Sequence, residues 1–307
     1  MRRRDLLAGS ALATALAQSS RPSQSNAPTN FQIACMTLPY AAFPVERALT
    51  GIQSAGYKYV AWGVSHRDLD GVRRPMLALE APPTEAGRLA ARCRDLDLQP
   101  VMMFSAVNFE EAGAADAYRR RVDQANAANI PFIIVFGKTT AGSYDAVIRN
   151  LKSVGDHARA GGVTIVIKQH GGNTATGQDC SRIIADVGHE AVRMCYDAGN
   201  VLDYENHDPI PDIQKCWRDI RAFAIKDHRN YPKDEDCGIG FGEIDHYKLL
   251  EPVMRTGLTM PLAAENISEP LLPRPASPEG VDRLARRSRE FLEAVLAGLE
   301  GWSKGEK

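Results

Sequence analysis

The sequence has no excess of charge of either sign. Its 307 residues include 37 Lys+Arg and 38 Asp+Glu, which gives a formal net charge of -1. Proteins that bind nucleic acids or anionic membranes usually carry a clear basic excess or patch. We therefore expect no nucleic acid and no membrane as a partner.

Cysteine is sparse and irregularly spaced. No C-x-x-C pair occurs among the six cysteines, which are Cys35, Cys93, Cys180, Cys195, Cys216 and Cys237. This spacing matches neither a zinc knuckle nor a disulfide framework. We expect the cysteines to be buried as small hydrophobic side chains.

The amino-terminal segment lacks the length of a membrane span but resembles an export signal. Three arginines precede Asp5 and two leucines, and an apolar stretch over residues 8–17 ends in Ala-Leu-Ala. The Arg-Arg-x-Asp-Leu-Leu run resembles a bacterial twin-arginine signal; an ordinary secretory signal or a misassigned start is the alternative. We expect residues 1–17 to be a signal peptide, residues 18–29 a flexible linker, and the protein to be periplasmic.

The rest of the chain alternates short apolar runs with helical patterns. Eight runs rich in β-branched or aromatic residues begin at Phe31, Tyr57, Leu98, Pro131, Val163, Val192, Ala222 and Leu258. This alternation predicts buried parallel strands joined by helices. No glycine-rich loop follows the first run, which argues against a doubly wound nucleotide-binding sheet. The sequence predicts an α/β fold, a single-domain (β/α)8 TIM barrel over residues 30–307.

Ionisable residues stand at the ends of the last four predicted strands. They are Lys168 and His170 on the fifth, Asp197 on the sixth, Lys226, Asp227 and His228 on the seventh, and Glu265 on the eighth. The carboxyl ends of barrel strands meet at one rim, where barrel enzymes hold their active sites. Buried charges are costly unless they pair or bind a metal. We therefore expect these residues to form one site.

Several motifs occur in an order and spacing that resembles a known family. The segments AGYKYVAWG, IKQHGG, CYDAGNVL, FAIKD, GIGFGEIDH and AAEN resemble those of the sugar phosphate isomerase/epimerase-like, xylose-isomerase-like TIM barrels, over residues 31–300. The resemblance implies proton transfer next to a carbonyl and one divalent metal held by Glu, Asp, His and Glu on strands five to eight. Asp197 and Glu265 match this pattern, but Lys168 and Ala224 replace the first Glu and the His.

These two departures leave three hypotheses for the metal. Residues 168 and 170 share one side of a strand, as do residues 224 and 228, so the site can shift toward the rim. His170, Asp197, His228 and Glu265 would then bind one divalent metal, namely Mn, Fe, Co or Zn. In the second hypothesis no metal binds and the ammonium of Lys168 lies between Asp197 and Glu265. In the third, the residues are only structural.

Other residues receive individual interpretations. We assign catalytic roles to Lys168, Lys226 and Glu265, and expect burial to depress the pKa of Lys168. Trp62 and His66 are predicted at the barrel mouth, where an aromatic ring can stack on a sugar, with Asn200 as a further substrate-binding residue. Asp227 is expected to cap a loop and Glu243 to form a loop salt bridge, and no role is assigned to His157, His189, His207 and His246.

The function predicted is that of a sugar isomerase or epimerase, acting by proton transfer next to the carbonyl of a sugar or sugar derivative. A keto-sugar lyase or dehydratase is the alternative among enzymes, and a catalytically inactive sugar-binding barrel is the alternative of another class. Abasic-site endonucleases share the barrel but need a basic groove, which the balanced charge does not favour. The expected partner is a small-molecule sugar, and an oligomer is possible.

Overall fold

The computed structural model describes residues 27–303. The predicted signal peptide lies outside this part of the chain, as does the predicted linker up to residue 26. Thr29, the last residue assigned to that linker, is anchored by two hydrogen bonds. Its amide donates to the Met254 carbonyl at 2.9 Å, and its hydroxyl donates to the Val253 carbonyl at 2.5 Å. No helix among the described residues is long and apolar enough to cross a membrane.

Helices and strands alternate along the chain. In order they are β1 (Asn30–Met36), α1 (Val45–Ser54), β2 (Tyr59–Trp62), β3 (Ser65–Arg67), β4 (Arg73–Pro75), α2 (Pro83–Asp95), β5 (Gln99–Phe104), α3 (Ala114–Ala128), β6 (Phe132–Val135), α4 (Tyr144–Ala160), β7 (Thr164–Lys168), α5 (Gly177–Val187), β8 (Val192–Tyr196), α6 (Ala198–Glu205), α7 (Pro209–Cys216), β9 (Ile220–Ile225), β10 (Asp227–Arg229), β11 (Glu235–Cys237), α8 (His246–Leu250), β12 (Thr259–Ala264) and α9 (Pro278–Ser303). Short 3-10 turns lie at Leu38–Tyr40, Trp217–Asp219 and Glu251–Val253.

Eight of these strands form a closed parallel barrel. Their order around it is β1, β12, β9, β8, β7, β6, β5 and β2, with β2 paired to β1. Each begins within two residues of its predicted start. Both the predicted strands and the single-domain (β/α)8 barrel are therefore confirmed.

Side-chain alternation divides the apolar residues into two layers. One layer lies inside the barrel and includes Val166, Cys195, Ala224 and Ala263. The other packs between the strands and the surrounding helices and includes their chain neighbours Ile167, Tyr196, Ile225 and Ala264. Because strand side chains alternate, the residues that follow the second set, at 168, 197, 226 and 265, face inward again.

The cysteines behave as expected. All six are free and buried. Five of them belong to the two apolar layers, with Cys195 inside the barrel and Cys35 among the four outside it. No disulfide framework is needed because the barrel and its helices supply a large apolar core.

Two antiparallel hairpins, absent from the prediction, extend beyond the barrel strands. β3 pairs with β4, and β10 pairs with β11. Their strands have three residues each and are rich in charged side chains, so they show neither the apolar run nor the alternation by which strands are recognised. Both hairpins follow barrel strands at their carboxyl ends and therefore lie on the side of the barrel where those strands end.

The carboxyl-terminal helix closes the helical layer against the first helix. Asp282 of α9 accepts hydrogen bonds from the Tyr40 hydroxyl at 3.0 Å and from Arg47 of α1 at 2.6 and 3.2 Å. Tyr40 is fully buried. Asp282 thus supplies a charged acceptor to a phenol that water does not reach.

We expect Asp282→Ala to lower the free energy of unfolding by about 1–3 kcal/mol, because it leaves the buried Tyr40 hydroxyl without its acceptor and Arg47 with only its longer contact to Glu279. Urea unfolding monitored by circular dichroism measures this change. Glu279→Ala is the matched control: Glu279 contacts the same Arg47 at 3.4 Å but is largely exposed, so its loss should lower the free energy of unfolding clearly less than the loss of Asp282 does. Equal losses for the two variants would contradict the argument.

Candidate active site

The centre of the site is a lysine held between two carboxylates. The Nζ atom of Lys168 lies 2.6 Å from both carboxylate oxygens of Glu265 and 2.9 Å from Oδ2 of Asp197. Lys168 is 3% exposed and Asp197 is fully buried. This arrangement corresponds to the second metal hypothesis, in which the ammonium takes the place between the two acids.

The charges of this trio follow from its burial. Burial alone lowers the pKa of Lys168, but Asp197 and Glu265 outweigh it, so the net pKa is raised and the ammonium is retained. The expected depression was therefore wrong, because it counted burial without the two acids. Burial raises the pKa of Asp197, yet Lys168 and Lys226 lower it overall.

Glu265 differs from Asp197 in its affinity for a proton. Burial raises the pKa of Glu265, and the charge of Asp197 adds to this while Lys168 opposes it; the net shift is upward. The pKa values of the two carboxylates that share this ammonium are thus shifted in opposite directions, and Asp197 is the one that stays ionised. Of the pair, Glu265 is the group whose surroundings favour the protonated form, so it is the better suited to taking up a proton.

Lys226 forms a second buried ion pair beside the first. Its ammonium donates a short hydrogen bond to Asp236 of β11, and Asp236 also lies 3.2 Å from Nδ1 of His228. Burial lowers the pKa of Lys226, but Asp197, Glu265 and Asp236 raise it overall. A Cβ at Gly199 would come within 2.6 Å of Lys226 Cγ, so glycine makes room for the lysine chain.

A cavity of about 290 Å³ opens above these residues. Lys226, Asp236 and Glu265 form its charged inner wall, whereas Lys168 lies behind Glu265 and outside the lining. The apolar wall includes Phe43 and Leu284, and Arg73 and Arg274 also line the cavity. Of the three residues assigned catalytic roles, the structure therefore places Lys226 and Glu265 against the cavity and Lys168 in contact with Glu265.

Backbone and amide groups fix the position of Asp197. Its amide donates to Oε1 of Gln169 at 2.8 Å, and its Oδ1 accepts the Asn200 amide at 3.0 Å as the N-cap of α6. The Asn200 side chain donates to the Gln169 carbonyl at 2.6 Å. Asn200, predicted to bind substrate, is 2% exposed and here joins the end of β7 to α6.

Trp62 and His66 do not lie at the cavity. Trp62 belongs to the layer between barrel and helices, because Ala61 takes the inward position on β2. His66 is buried, with Nδ1 3.0 Å from the Phe43 carbonyl and Nε2 2.9 Å from the Thr37 hydroxyl. Burial lowers its pKa, so it stays neutral. The predicted stacking platform for a sugar is therefore not formed by these two residues.

His170 is a half-buried, neutral imidazole near the trio. Burial lowers its pKa, and Lys168 adds to this effect. Its Nδ1 lies 2.8 Å from the Gly137 carbonyl, which requires the proton on Nδ1 and leaves a lone pair on Nε2. Its ring contacts Phe136 and Tyr204 at centroid distances of 4.7 and 5.4 Å.

Asp227 and Glu243 bind backbone amides outside the cavity, as expected of the loop-capping Asp227, whereas the salt bridge expected of Glu243 is not formed with any residue that the structure describes. Asp227 accepts hydrogen bonds from the amides of His228, Gly240 and Ile244, at 2.9–3.1 Å. Glu243 accepts the amide of Asn230 at 2.9 Å. Together these two acids organise the segment that follows β10.

The four residues of the displaced metal site do not come together. Within residues 27–303 the only group of three or more potential ligands close enough to share an ion is Asp203, His228 and Asp234. His228 faces these aspartates and Asp236 because it belongs to the β10–β11 hairpin, while His170 points to the Gly137 carbonyl. The predicted set of His170, Asp197, His228 and Glu265 is thus divided between two places.

The centre of the barrel also does not fit the metal that the resemblance implies. The Lys168 ammonium lies within bonding distance of both acids that would ligate a cation, and Ala224 offers no donor atom. The hairpin group fits better, since Nε2 of His228 is buried without a hydrogen-bond partner and lies 3.3 Å from Asp234. A cation held there would cross-link the hairpin to α6.

Sequence reasoning missed Asp236, Arg73 and Arg274. All three stand on hairpins or loops, and none follows a recognisable apolar run. One signal was available for Asp236: the segment from Lys233 to Asp236 is dense in charge and lies in the loop region that follows a barrel strand, where barrel enzymes hold their functional residues.

We expect Lys168→Met to lower the free energy of unfolding at pH 7 by about 3–5 kcal/mol, because two buried carboxylates lose their counter-ion. The variant should recover stability as pH falls: its acids then have folded-state pKa values above those of the unfolded chain, so stability is present at low pH and lost as pH rises through the folded values. Urea unfolding between pH 5 and 8 tests this.

The exposed Lys152 of α4 provides the control. Lys152→Met should change stability by less than about 0.5 kcal/mol and should show no added pH dependence. A Lys168→Met protein as stable as the parent at pH 8 would contradict the pairing argument.

Comparison with known proteins agrees with this architecture. Among solved structures, an L-ribulose 3-epimerase superimposes with a TM-score of 0.68 at 16% identity, covering 89% of this chain and 96% of that one. A xylose isomerase-like TIM barrel protein from Mycobacterium smegmatis, in complex with magnesium, superimposes with a TM-score of 0.65 at 15% identity, covering 88% of this chain and 97% of that one. The TM-scores show a shared fold, and at these identities the similarity shows the fold alone.

A third structure is a fusion protein of a xylose isomerase-like TIM barrel with 4-hydroxyphenylpyruvate dioxygenase. It superimposes with a TM-score of 0.65 at 18% identity over 89% of this chain. This chain spans 43% of the fusion's length. No curated protein matches the sequence.

The family assignment comes from the sequence itself. The family described as xylose isomerase-like TIM barrel matches residues 50–294 of the 307. That range runs from within α1 to within α9 and includes every residue of the charged centre. The chain belongs to the xylose isomerase-like TIM barrel family.

Proposed function

We propose that this protein is a sugar isomerase or epimerase that moves a proton at the carbon next to a carbonyl. The observation that carries the proposal is Glu265, a carboxylate with a raised pKa on the wall of a small cavity, beside the ammonium of Lys226. The family, and the epimerase among the structures of the same fold, support this class of chemistry.

The proposed step uses one base and one fixed cation. The Glu265 carboxylate takes the proton from the carbon, the C–H electron pair forms a C=C bond, and the carbonyl π pair moves onto oxygen. Lys226 lines the cavity and stabilises the oxygen of the resulting enediolate. Isomerisation follows when Glu265 returns the proton to the former carbonyl carbon and the hydroxyl proton of the reacting carbon moves to the former carbonyl oxygen. Epimerisation follows when a second donor on the other side of the substrate gives a proton to the opposite face of the same carbon, and Glu265 loses its proton to solvent.

Lys168 acts on this step through Glu265. It contacts both carboxylate oxygens from behind, and its positive charge lowers the proton affinity that burial has raised. We class Lys168 as a positioning residue because it lies outside the cavity lining. His170, with a free lone pair on Nε2, is the further acceptor available for a proton near the trio.

The same enediolate also allows elimination of a substituent on the next carbon. A keto-sugar lyase is therefore the second candidate, and it shares the role of Glu265. A sugar-binding barrel without catalysis is the third. Proton exchange separates the third candidate from the first two, and the loss of a leaving group separates the second from the first.

We expect Glu265→Gln to reduce solvent-deuterium exchange into sugar substrates by at least about 100-fold, because the amide cannot act as the base. Exchange is measured by NMR over a panel of aldoses, ketoses and keto-sugars. For the parent protein kcat/KM should rise with pH through the pKa of Glu265, since only the carboxylate accepts a proton, with a midpoint above the ordinary range for glutamate.

Two variants of Lys168 and one control variant sharpen this test. In the pH profile of kcat/KM, Lys168→Met should move the rise that reports Glu265 to higher pH, because the charge that lowers the Glu265 pKa is gone. Lys168→Arg keeps a positive charge and should leave this rise near its original pH. Glu243→Gln, in a carboxylate bonded to loop amides, should leave the profile unchanged. Full exchange in Glu265→Gln, or saturable sugar binding with no exchange by the parent, would overturn the proposal.

We propose further that the barrel centre holds no divalent cation, because Lys168 takes its place. The double variant Lys168→Glu with Ala224→His restores the acids and imidazole implied by the family resemblance. We expect it to gain stoichiometric Mn²⁺ binding, measured by calorimetry and elemental analysis, that the parent lacks at this position.

The cluster of Asp203, His228 and Asp234 could bind a cation of its own, so the metal-binding experiment needs a control for it. Any cation that the parent binds should be lost in His228→Ala, which removes the buried imidazole facing Asp203 and Asp234. The gain of the double variant should survive in the triple variant with His228→Ala. If the parent's cation instead persists in His228→Ala and is lost in Asp197→Asn, the metal lies at the barrel centre and the proposal is wrong.

A further inference from the structure

Two guanidinium groups at the cavity have no carboxylate partner. Arg73 of β4 donates to the Ser65 hydroxyl at 2.9 Å and forms no ion pair with the described residues. Within residues 27–303, Arg274 likewise has neither an ion pair nor a side-chain hydrogen bond. Both residues belong to the cavity lining.

The neighbouring arginine shows that this hairpin does pair its charges elsewhere. Arg74 bonds Asp70 at 2.5 and 2.8 Å and Asp68 at 3.0 Å. Asp68 and Asp70 therefore pair with Arg74, which does not line the cavity. The hairpin neutralises Arg74 and leaves Arg73 free at the lining.

Charges deeper in the cavity are paired among themselves. Lys226 is paired with Asp236, and Lys168 with both Asp197 and Glu265, which leaves one net negative charge. The two arginines, which are exposed at the cavity lining, add two positive charges and make the site positive as a whole. Guanidinium groups bind oxyanions through planar, charge-assisted hydrogen bonds, whereas a neutral sugar gives them only neutral acceptors.

The two arginines come from distant parts of the sequence. Arg73 stands on the hairpin after β2, and Arg274 on the loop between β12 and α9. Glu265 and Lys226 stand at the strand ends. A ligand with a carbonyl at one end and an oxyanion at the other would contact both sets of residues.

We propose that the substrate is an acidic sugar, whose oxyanion group is bound by Arg73 and Arg274 while its carbonyl end faces Glu265 and Lys226. This inference rests on the proposed function, because it takes the reacting end from it. A carboxylate and a phosphate share the chemistry that the arginines recognise. The cavity, of about 290 Å³, lies at the small end of ligand pockets and suits a single sugar unit.

Three matched probes test the proposal: D-glucose, D-glucuronate and D-glucose 6-phosphate. We expect calorimetry to show that the parent binds at least one of the two acidic probes at least about tenfold more tightly than glucose, since hydrogen bonds between charged partners are the stronger ones. Preference for glucuronate identifies a carboxylate as the ligand group, and preference for the phosphate identifies a phosphoryl group.

Variants assign that preference to the two arginines. Arg73→Gln and Arg274→Gln should each weaken binding of the preferred acidic probe about tenfold and leave glucose binding unchanged, and the affinity should fall with added salt. Arg74→Gln is the matched control on the same hairpin and should keep the preference. Equal affinity for the three probes, no detectable binding of any at millimolar concentration, or a preference that survives Arg73→Gln and Arg274→Gln would overturn the proposal.

Its failure can be told apart from failure of the proposed function. Arginine-dependent binding of an acidic probe together with no proton exchange on any acidic sugar would support the anion site and contradict the isomerase proposal. Glu265-dependent proton exchange on neutral sugars, unaffected by Arg73→Gln and Arg274→Gln, would support the enzyme and contradict the acidic substrate.

Discussion

The ion pairing of Lys168 with Asp197 and Glu265 is the constraint on which the site depends. Three strand ends bring two carboxylates to within 3 Å of the Lys168 ammonium in a place that water hardly reaches. None of the three could be buried alone at an acceptable cost in free energy. Each therefore requires the others, and the strand register that brings them together is fixed by the apolar positions below them.

The net charge of the trio explains what surrounds it. Two acids and one ammonium leave one negative charge, which the nearby ammonium of Lys226 offsets. Lys226 in turn is paired with Asp236, and Asp236 contacts His228. The β10–β11 hairpin is thus tied to the barrel centre by a continuous series of charged contacts, and its position depends on the charges at the strand ends.

The sequence was sufficient for the barrel strands and for the charged groups at their ends. Lys168 and Glu265 could be placed inward because residues two positions earlier, Val166 and Ala263, belong to the apolar interior. Trp62 was misplaced for the same reason, since its neighbour Ala61 takes the inward position and the indole must face the helices. Alternation fixes sides only once one residue of a strand has been assigned.

Other features depended on distances that the sequence does not contain. The sign of the Lys168 pKa shift is set by acids from β8 and β12 that lie within 3 Å, which no spacing along the chain could show. Asp236 and Arg274 stand on irregular or three-residue segments, whose paths are decided by contacts with the rest of the fold. The loops were therefore the part of the site least open to prediction.

An ammonium differs from a divalent cation in what it leaves for the substrate. A metal ion keeps coordination positions open to a substrate oxygen. Lys168 has one positive charge and is already surrounded by three carboxylate oxygens within 2.9 Å, so it has little capacity left for a carbonyl group. Polarisation of a carbonyl must then come from a cation that reaches the cavity, and of the two buried lysines only Lys226 does so. In the proposed reaction the two lysines consequently divide the work of one metal ion: Lys168 would set the proton affinity of Glu265, and Lys226 would stabilise the developing oxyanion.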